Sequence, residues 1–135
     1  MKRSVFLLIA IFYCLLTHSQ QGTLIKSIYF GGGSAYIDGG QALELKEFIE
    51  SIPNLENYQI SISSHTDNIG GKEYNQWLSE MRSESTIQQL NLNDIPRERI
   101  GRIDNGQDNP LYDNRTHHGR MANRRVDIIF TPLFL

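Results

Sequence analysis

The hydrophobic pattern changes its period several times along the chain, and this change constrains the fold more than any other feature. Four segments alternate polar and apolar side chains, as half-buried strands do: residues 26–30, 58–63, 100–105 and 125–131. Residues 107–120 are rich in Asp, Asn, Gly and His and lack either period, which predicts a long loop. The chain therefore supplies four strands.

Two further segments carry apolar residues at helical spacing. The first follows Asp38, an N-cap candidate with Gln41 three residues on, and ends before Pro53. The second begins near Lys72 and ends at residues 91–93. The order β-α-β-α-β-β predicts the α/β class, as a two-layer α+β sandwich with helices packed on one face of a mixed sheet.

Several side chains are expected to have structural roles. Tyr74, Trp77 and Met81 lie at core spacing on the second helix, so we expect them inside. His65 is expected to satisfy a backbone carbonyl of its loop. Arg125 should point to the opposite face of its strand from the preceding arginine, because side chains alternate along a strand.

The N-terminus predicts a secretory signal peptide. Residues 5–16 form an apolar run that is too short to span a bilayer comfortably but suits a signal-peptide core. We expect residues 1–19 to be removed after Ser19, leaving a domain over residues 20–135; a cut one or two residues later and an uncleaved anchor are the alternatives. Cys14, the only cysteine, lacks the small preceding residues of a lipidation site, so the mature protein would contain no disulfide.

Charge argues against one class of partner. The net charge of −2 disfavours a general nucleic-acid-binding protein. Seven arginines are nevertheless concentrated in the C-terminal third: Arg97, Arg99, Arg102, Arg115, Arg120, Arg124 and Arg125. They indicate either a solvated surface or the recognition of carboxylate or phosphate groups.

The stretch SSHTDNIGG, residues 63–71, joins the end of the second strand to the long helix. In open α/β sheets this edge is where ligands bind. Asp67 and Arg82 are separated by one loop and about two and a half helical turns, so both lie near that edge. They form either an internal ion pair or a receptor for a zwitterion, in which the carboxylate takes an ammonium and the guanidinium takes a carboxylate.

Catalytic alternatives lack the required spacing. A metal-dependent hydrolase would draw its ligands from four residues: His65, Asp67, His117 and His118. No metal-binding motif joins them. Ser63 or Ser64 with the adjacent histidine forms no triad, because neighbours in a strand point to opposite faces. We therefore expect no catalytic residue, no metal and no cofactor.

The segments ISISSHTDNIGGKEYNQWLSEMRSES and HHGRMANRRVDIIF together carry a family resemblance. The chain resembles, over residues 25–131, the OmpA-like C-terminal domain, the peptidoglycan-binding module of outer-membrane porins, the Pal lipoprotein and flagellar stator proteins. The resemblance implies non-catalytic capture of the diaminopimelate of the peptidoglycan stem peptide. It also implies export to the periplasm of a Gram-negative cell envelope, at the outer membrane or in an envelope protein complex.

The resemblance also assigns residues. Asp67 and Arg82 are the pair implied to hold the free amino-acid end of diaminopimelate. The other residues implied to contact the ligand are Thr66, Asn75, Leu78 and Arg124. Those implied to support the site are His65, Asn68, Gly70 and Asn123.

One departure keeps a second function open. The family usually has glycine immediately before the histidine, where this chain has Ser64. The backbone at the strand end could therefore differ where a ligand approaches. The alternative is a periplasmic or outer-membrane protein-interaction scaffold that has the OmpA-like fold but does not bind peptidoglycan.

Overall fold

The computed structural model describes residues 22–133. The signal peptide predicted for residues 1–19 lies outside this range. Among the helices of residues 22–133, none has both the length and the apolar character needed to cross a membrane.

Within this range four strands form one sheet. They are β1 (Leu24–Tyr29), β2 (Tyr58–Ser64), β3 (Ile100–Asp104) and β4 (Arg125–Pro132). Their spatial order is β1-β4-β2-β3, and β4 runs antiparallel to both of its neighbours. Strands β2 and β3 are parallel, and the long helical connection that a parallel pair requires lies between them. The predicted mixed sheet is confirmed.

Two of the α-helices cover the core. Helix α1 (Gly39–Glu50) begins where predicted, because the side chain of Asp38 accepts a hydrogen bond from the backbone N–H of Gln41 at 2.9 Å. Helix α2 (Lys72–Leu92) also has the predicted bounds. Short 3-10 turns precede β2 and β3.

A third helix corrects the prediction of an uninterrupted loop over residues 107–120. Helix α3 (His117–Asn123) occupies the end of that segment. The hydroxyl of Thr116 caps it by accepting from the N–H of Gly119 at 2.9 Å. The helix has only two turns and few apolar residues, so the sequence shows no hydrophobic periodicity that would indicate it.

The apolar core lies between the sheet and the two longer helices. Side chains from every second position of β2 and β4 meet those of α1 and α2 there. Its fully buried members include Leu45, Ile60, Leu90, Ile95, Val126, Ile128 and Phe130.

The buried face of α2 differs from the prediction. Tyr74, Trp77 and Met81 were expected in the core, but they are 44%, 52% and 39% exposed. The buried residues of α2 are largely polar: Asn75, Leu78, Ser79, Arg82, Ser83, Thr86, Ile87 and Leu90. These polar groups find partners around the end of the sheet; for example, the hydroxyl of Ser79 accepts from the N–H of Gly106 at 3.0 Å. Burial is therefore decided by hydrogen bonding as well as by apolarity.

Candidate ligand-binding site

The His-Thr-Asp segment follows β2 and is fixed by its backbone. The N–H of His65 donates to the carbonyl of Arg125 at 2.8 Å, which continues the pairing of β2 with β4. The N–H of Thr66 donates to the carbonyl of Gly106 at 2.8 Å, and its hydroxyl donates to the carbonyl of Asp67 at 2.8 Å. These bonds hold the segment between the ends of two strands.

The carboxylate of Asp67 lies in the site and is only 6% exposed. Its Oδ1 accepts from the N–H of Ile69 at 2.9 Å, and its Oδ2 lies 3.5 Å from Nη1 of Arg124. Within residues 22–133, no ion pair of 4.0 Å or less joins Asp67 to Arg82. The internal ion pair between Asp67 and Arg82, one of the two interpretations of the sequence, is therefore not formed. Asp67 pairs with Arg124 instead.

The guanidinium of Arg82 is fully buried and bonded to three backbone carbonyls from two segments of the chain. Nε donates to the carbonyl of Ser34 at 2.8 Å, Nη1 to that of His65 at 2.9 Å and Nη2 to that of Gly31 at 3.0 Å. The guanidinium carbon also lies 5.1 Å from the ring centre of Phe30. Arg82 thus ties the β1–α1 loop to the His-Thr-Asp segment.

Burial gives Arg82 an unusual charge environment. Loss of solvent lowers its pKa to about 10, and the nearby charge of Asp67 opposes this shift. A guanidinium has five N–H groups, and the three bonds to carbonyls leave one N–H on Nη1 and one on Nη2. Because Arg82 is fully buried, these two N–H groups can reach a ligand only when the loops around them move apart.

Asn75 and Leu78 face the same region from the first turns of α2. Both are buried, and Nδ2 of Asn75 donates to Oε1 of Gln107 at 2.8 Å. The Oδ1 atom of Asn75 is buried without a hydrogen-bond partner. Gln107 was not predicted to belong to the site, because nothing in its polar loop distinguishes it.

Arg124 reaches the site from the end of α3. Besides Nη1, which pairs with Asp67, it has a buried Nε without a hydrogen-bond partner. A Cβ atom on Gly32 would lie 3.2 Å from Nη1 of Arg124, so the glycine run after β1 allows the arginine close to the backbone.

The turn after Asp67 requires glycine at position 70. Gly70 has a φ of +101°, and a Cβ there would lie 2.9 Å from Cδ1 of Tyr74. Asn68 lies in the same turn and is exposed. This part of the predicted site is therefore a tight turn that brings the ring of Tyr74 to its edge.

Asn123 supports the site by fixing the loop before α3. Its Nδ2 donates to the carbonyl of Tyr112 at 2.9 Å and to Oδ1 of Asn114 at 2.9 Å, while its Oδ1 accepts from the N–H of Tyr112 at 3.2 Å. This clip holds the loop to the helix that leads into Arg124.

The side chain of His65 does not bond to a backbone carbonyl, contrary to the prediction. Its Nε2 is hydrogen-bonded to the hydroxyl of Ser63 at 3.1 Å, and its Nδ1 is buried without a partner. Burial and the charge of Arg125 lower the pKa of His65, while Asp127 partly opposes them. Arg125 forms an ion pair with Asp127 at 3.0 Å, whereas Arg124 forms one with Asp67 at 3.5 Å. The two consecutive arginines therefore bind different carboxylates.

One further hydrogen bond joins two strands next to the His-Thr-Asp segment. The hydroxyl of buried Ser64 donates to Oδ1 of Asp104 at 3.0 Å, linking β2 to its parallel neighbour β3.

In residues 22–133, no three His, Cys, Asp or Glu side chains stand close enough together to hold a metal ion. What the site brings together is one carboxylate, two guanidinium groups and amide side chains.

Comparison with known protein sequences finds relatives that include two bacterial lipoproteins. The chain is 31% identical over 104 residues to the outer-membrane lipoprotein YfiB of Pseudomonas aeruginosa, covering 77% of this chain and 62% of the relative. It is 25% identical over 105 residues to the peptidoglycan-associated lipoprotein of Buchnera aphidicola, covering 78% and 61%. The chain spans less than two thirds of the length of the first curated relatives that it matches, from 26% to 62%.

Solved structures share the fold. The crystal structure of the peptidoglycan-associated lipoprotein from Burkholderia pseudomallei superposes with a TM-score of 0.71 at 23% identity, covering 78% of this chain and 90% of the other. The model of the OmpA family matches residues 29–124, which include β2, α2 and the segment from Asp67 to Arg124. The chain belongs to the OmpA family.

Proposed function

We propose that the protein binds peptidoglycan without catalysis, through the diaminopimelate of the stem peptide, and so anchors itself or its complex to the cell wall. The observation that carries this proposal is the set of buried polar atoms beside Asp67 that lack partners. Oδ1 of Asn75 is an unfilled acceptor and Nε of Arg124 is an unfilled donor. A buried polar atom without a partner costs about 1–3 kcal/mol, so a ligand that supplies the partner gains affinity.

A zwitterionic amino-acid end suits these atoms. Its ammonium group would donate to the carboxylate of Asp67 and to Oδ1 of Asn75. Its carboxylate would accept from Arg124 and from the two N–H groups of Arg82 that are not bonded to the backbone. The free end of diaminopimelate carries both groups on one carbon, whereas a lysine side chain at the same position in the stem peptide lacks the carboxylate.

This arrangement changes the role proposed for Arg82. Three of its five N–H groups already bond to the backbone. In the proposal Arg82 contributes part of the carboxylate contact and, above all, fixes the loops around it. Arg124 shares the contact with the ligand carboxylate.

Family membership and the names of relatives support the same function. The Buchnera relative is named for its association with peptidoglycan, and the Pseudomonas relative is named as an outer-membrane lipoprotein. We propose by extension that the chain acts in the periplasm after export, at the outer membrane or within an envelope complex. The chemistry of capture requires no metal, cofactor or nucleic acid.

The test compares binding to sacculi with binding to defined peptides. The purified protein is sedimented with peptidoglycan sacculi of the diaminopimelate type and of the lysine type. Isothermal titration then measures its affinity for a diaminopimelate-containing stem peptide. We expect Asp67→Asn, which keeps the side-chain shape and an acceptor for the N–H of Ile69, to reduce binding by at least about tenfold.

Asp94→Asn is the matched control. Asp94 is an exposed acidic residue just beyond the C-terminal end of α2, away from the described contacts of the site. Its φ of +62° is one that asparagine tolerates, so the replacement should leave fold and binding unchanged. If the folded wild-type protein binds neither sacculi nor peptide, the proposed function is wrong, and a protein-interaction scaffold with this fold becomes the better description.

A further inference from the structure

Two aromatic rings stand exposed on the outer side of α2. Tyr74 and Trp77 are one helical turn apart, with ring centres 5.8 Å from each other and ring planes inclined by 36°. Both are about half exposed, although side chains of this size are usually buried. Paired rings in this arrangement present a shallow apolar platform.

The platform continues directly from the edge of the binding site. The ring of Tyr74 lies against Gly70, and its hydroxyl lies 3.2 Å from where a Cβ of Gly33 would be. Asn75, which offers the unfilled acceptor, is the next residue on the helix. Tyr74 therefore lies between the binding site and Trp77.

The polar groups beside the platform favour a neutral, hydroxyl-bearing ligand. Glu73 precedes Tyr74, and Glu80 lies one turn beyond Trp77. Nε2 of Gln76 donates to Oε1 of Glu80 at 3.2 Å, which leaves carboxylate lone pairs for other donors. Carboxylates accept from hydroxyl groups but repel anions, so phosphate and acidic peptides are disfavoured here.

We propose that Tyr74 and Trp77 form a sugar subsite, which stacks a glycan ring of the same peptidoglycan strand whose stem peptide occupies the site at Asp67. This inference rests on the proposed function and extends it to the carbohydrate part of the ligand. A sugar ring has an apolar face of C–H groups and a rim of hydroxyls, which match the aromatic platform and its carboxylates.

The covalent structure of peptidoglycan allows both contacts at once. The stem peptide is joined to a sugar of the glycan strand, and each of its residues spans at most about 3.6 Å. A sugar attached to a captured stem peptide therefore lies within about 10–15 Å of the diaminopimelate. Asn75 and Trp77 point to nearly opposite sides of α2, so the separation of their side chains is set by the width of a helix, about 10–12 Å with its side chains. The platform therefore falls within this reach.

The test uses two ligands that differ only in the sugar: a disaccharide stem peptide containing diaminopimelate and the same peptide without sugar. Isothermal titration is carried out with the wild type, Trp77→Leu, Trp77→Phe and the control Leu92→Ala, which removes an exposed apolar side chain at the far end of the same helix. Trp77 is the only tryptophan of the chain, so its fluorescence reports directly on the platform.

We expect the wild type to bind the disaccharide peptide more tightly than the free peptide, and its fluorescence to change with the sugar. Loss of a ring face that covers about 50 Å² of sugar lowers affinity about eightfold. Trp77→Leu should therefore lose most of the preference, Trp77→Phe should keep part of it, and Leu92→Ala should keep all of it. Affinity for the free peptide should not change in any of them.

The other outcomes separate the two hypotheses. Equal affinity of the wild type for both ligands, or an equal loss for both in Trp77→Leu, overturns the sugar subsite and leaves the proposed function standing. If the wild type binds neither ligand, the proposed function fails and the subsite fails with it.

Discussion

Replacement of Arg82 by lysine tests the structural role of the buried guanidinium. The change keeps the positive charge but removes the planar fork that reaches the carbonyls of Gly31, Ser34 and His65. A lysine ammonium is a compact group on a shorter side chain, and we expect it to reach at most one of these three carbonyls. Two charge-assisted hydrogen bonds are then lost.

The expected cost follows from those two bonds. Hydrogen bonds to a charged group contribute about 1.5–3 kcal/mol each, so Arg82→Lys should lower the free energy of unfolding by about 3–6 kcal/mol. Domains of this size are stable by only about 5–15 kcal/mol. The variant should remain folded in water but lose a large share of its stability.

Urea denaturation followed by circular dichroism measures this loss. With a slope of about 1.5 kcal/mol per molar urea, the midpoint should fall by roughly 2 M or more, while the slope itself stays unchanged. Arg97→Lys is the matched control, because Arg97 forms an exposed ion pair with Glu84 at 2.7 Å and its replacement should leave the urea midpoint nearly unchanged. An equally small shift of the midpoint for Arg82→Lys would refute the reasoning.

Two further substitutions test single side chains near the site. Burial and the charge of Arg125 lower the pKa of His65 in the folded protein below its ordinary value of 6.5. As the pH falls, His65 is therefore protonated in the unfolded chain first. The free energy of unfolding should then decrease from about pH 6.5 downward until the pH passes the pKa of His65 in the folded protein. His65→Asn should therefore lose less stability than the wild type between about pH 7 and about pH 5 in urea titrations, and parallel losses would contradict this. Ser64→Gly removes the hydroxyl bond to Asp104 and frees the backbone, so it should lower the free energy of unfolding by about 1–2 kcal/mol without changing affinity for the stem peptide; a changed affinity would show that this position acts on the ligand.

Much of the fold could be predicted because local signals and tertiary structure agree. Asp38 caps α1 as its spacing with Gln41 indicates, and the alternating segments became strands. The strand order could not be read from periodicity, since alternation shows that a strand has two faces but does not identify its neighbours.

The face of α2 was predicted wrongly for a physical reason. Periodicity assigns apolar residues to the inside, yet Trp77 and Met81 are exposed, whereas Ser83 and Thr86 are buried. The hydroxyl of Thr86 bonds to the carbonyl of Arg82 at 2.9 Å, within its own helix. Polar residues that find hydrogen-bond partners can occupy a buried face, and no single-sequence pattern reveals those partners.

Only residues that belong to a motif could be proposed for the candidate site. Asp67 and Arg124 were proposed from the resemblance and lie 3.5 Å apart in the structure, and Asn75, proposed with them, has a buried oxygen without a hydrogen-bond partner. Their supporting contacts come from distant segments: Gln107 meets Asn75, and the glycine run after β1 makes room for Arg124. Such contacts depend on how loops cross in space, which local sequence does not encode.

The position of β4 bears on how the chain folds during its synthesis. This strand lies between β1 and β2, and residues paired across β1 and β4, such as Leu24 and Phe130, are more than a hundred positions apart. Until residues 125–132 have left the ribosome, β1 lacks its neighbour in the sheet and β2 lacks one of two. The nascent chain therefore cannot complete its sheet step by step, and folding of this domain must wait until nearly all of residues 24–132 have been synthesised. An unfolded growing chain is also what an export pathway that threads extended polypeptide would require.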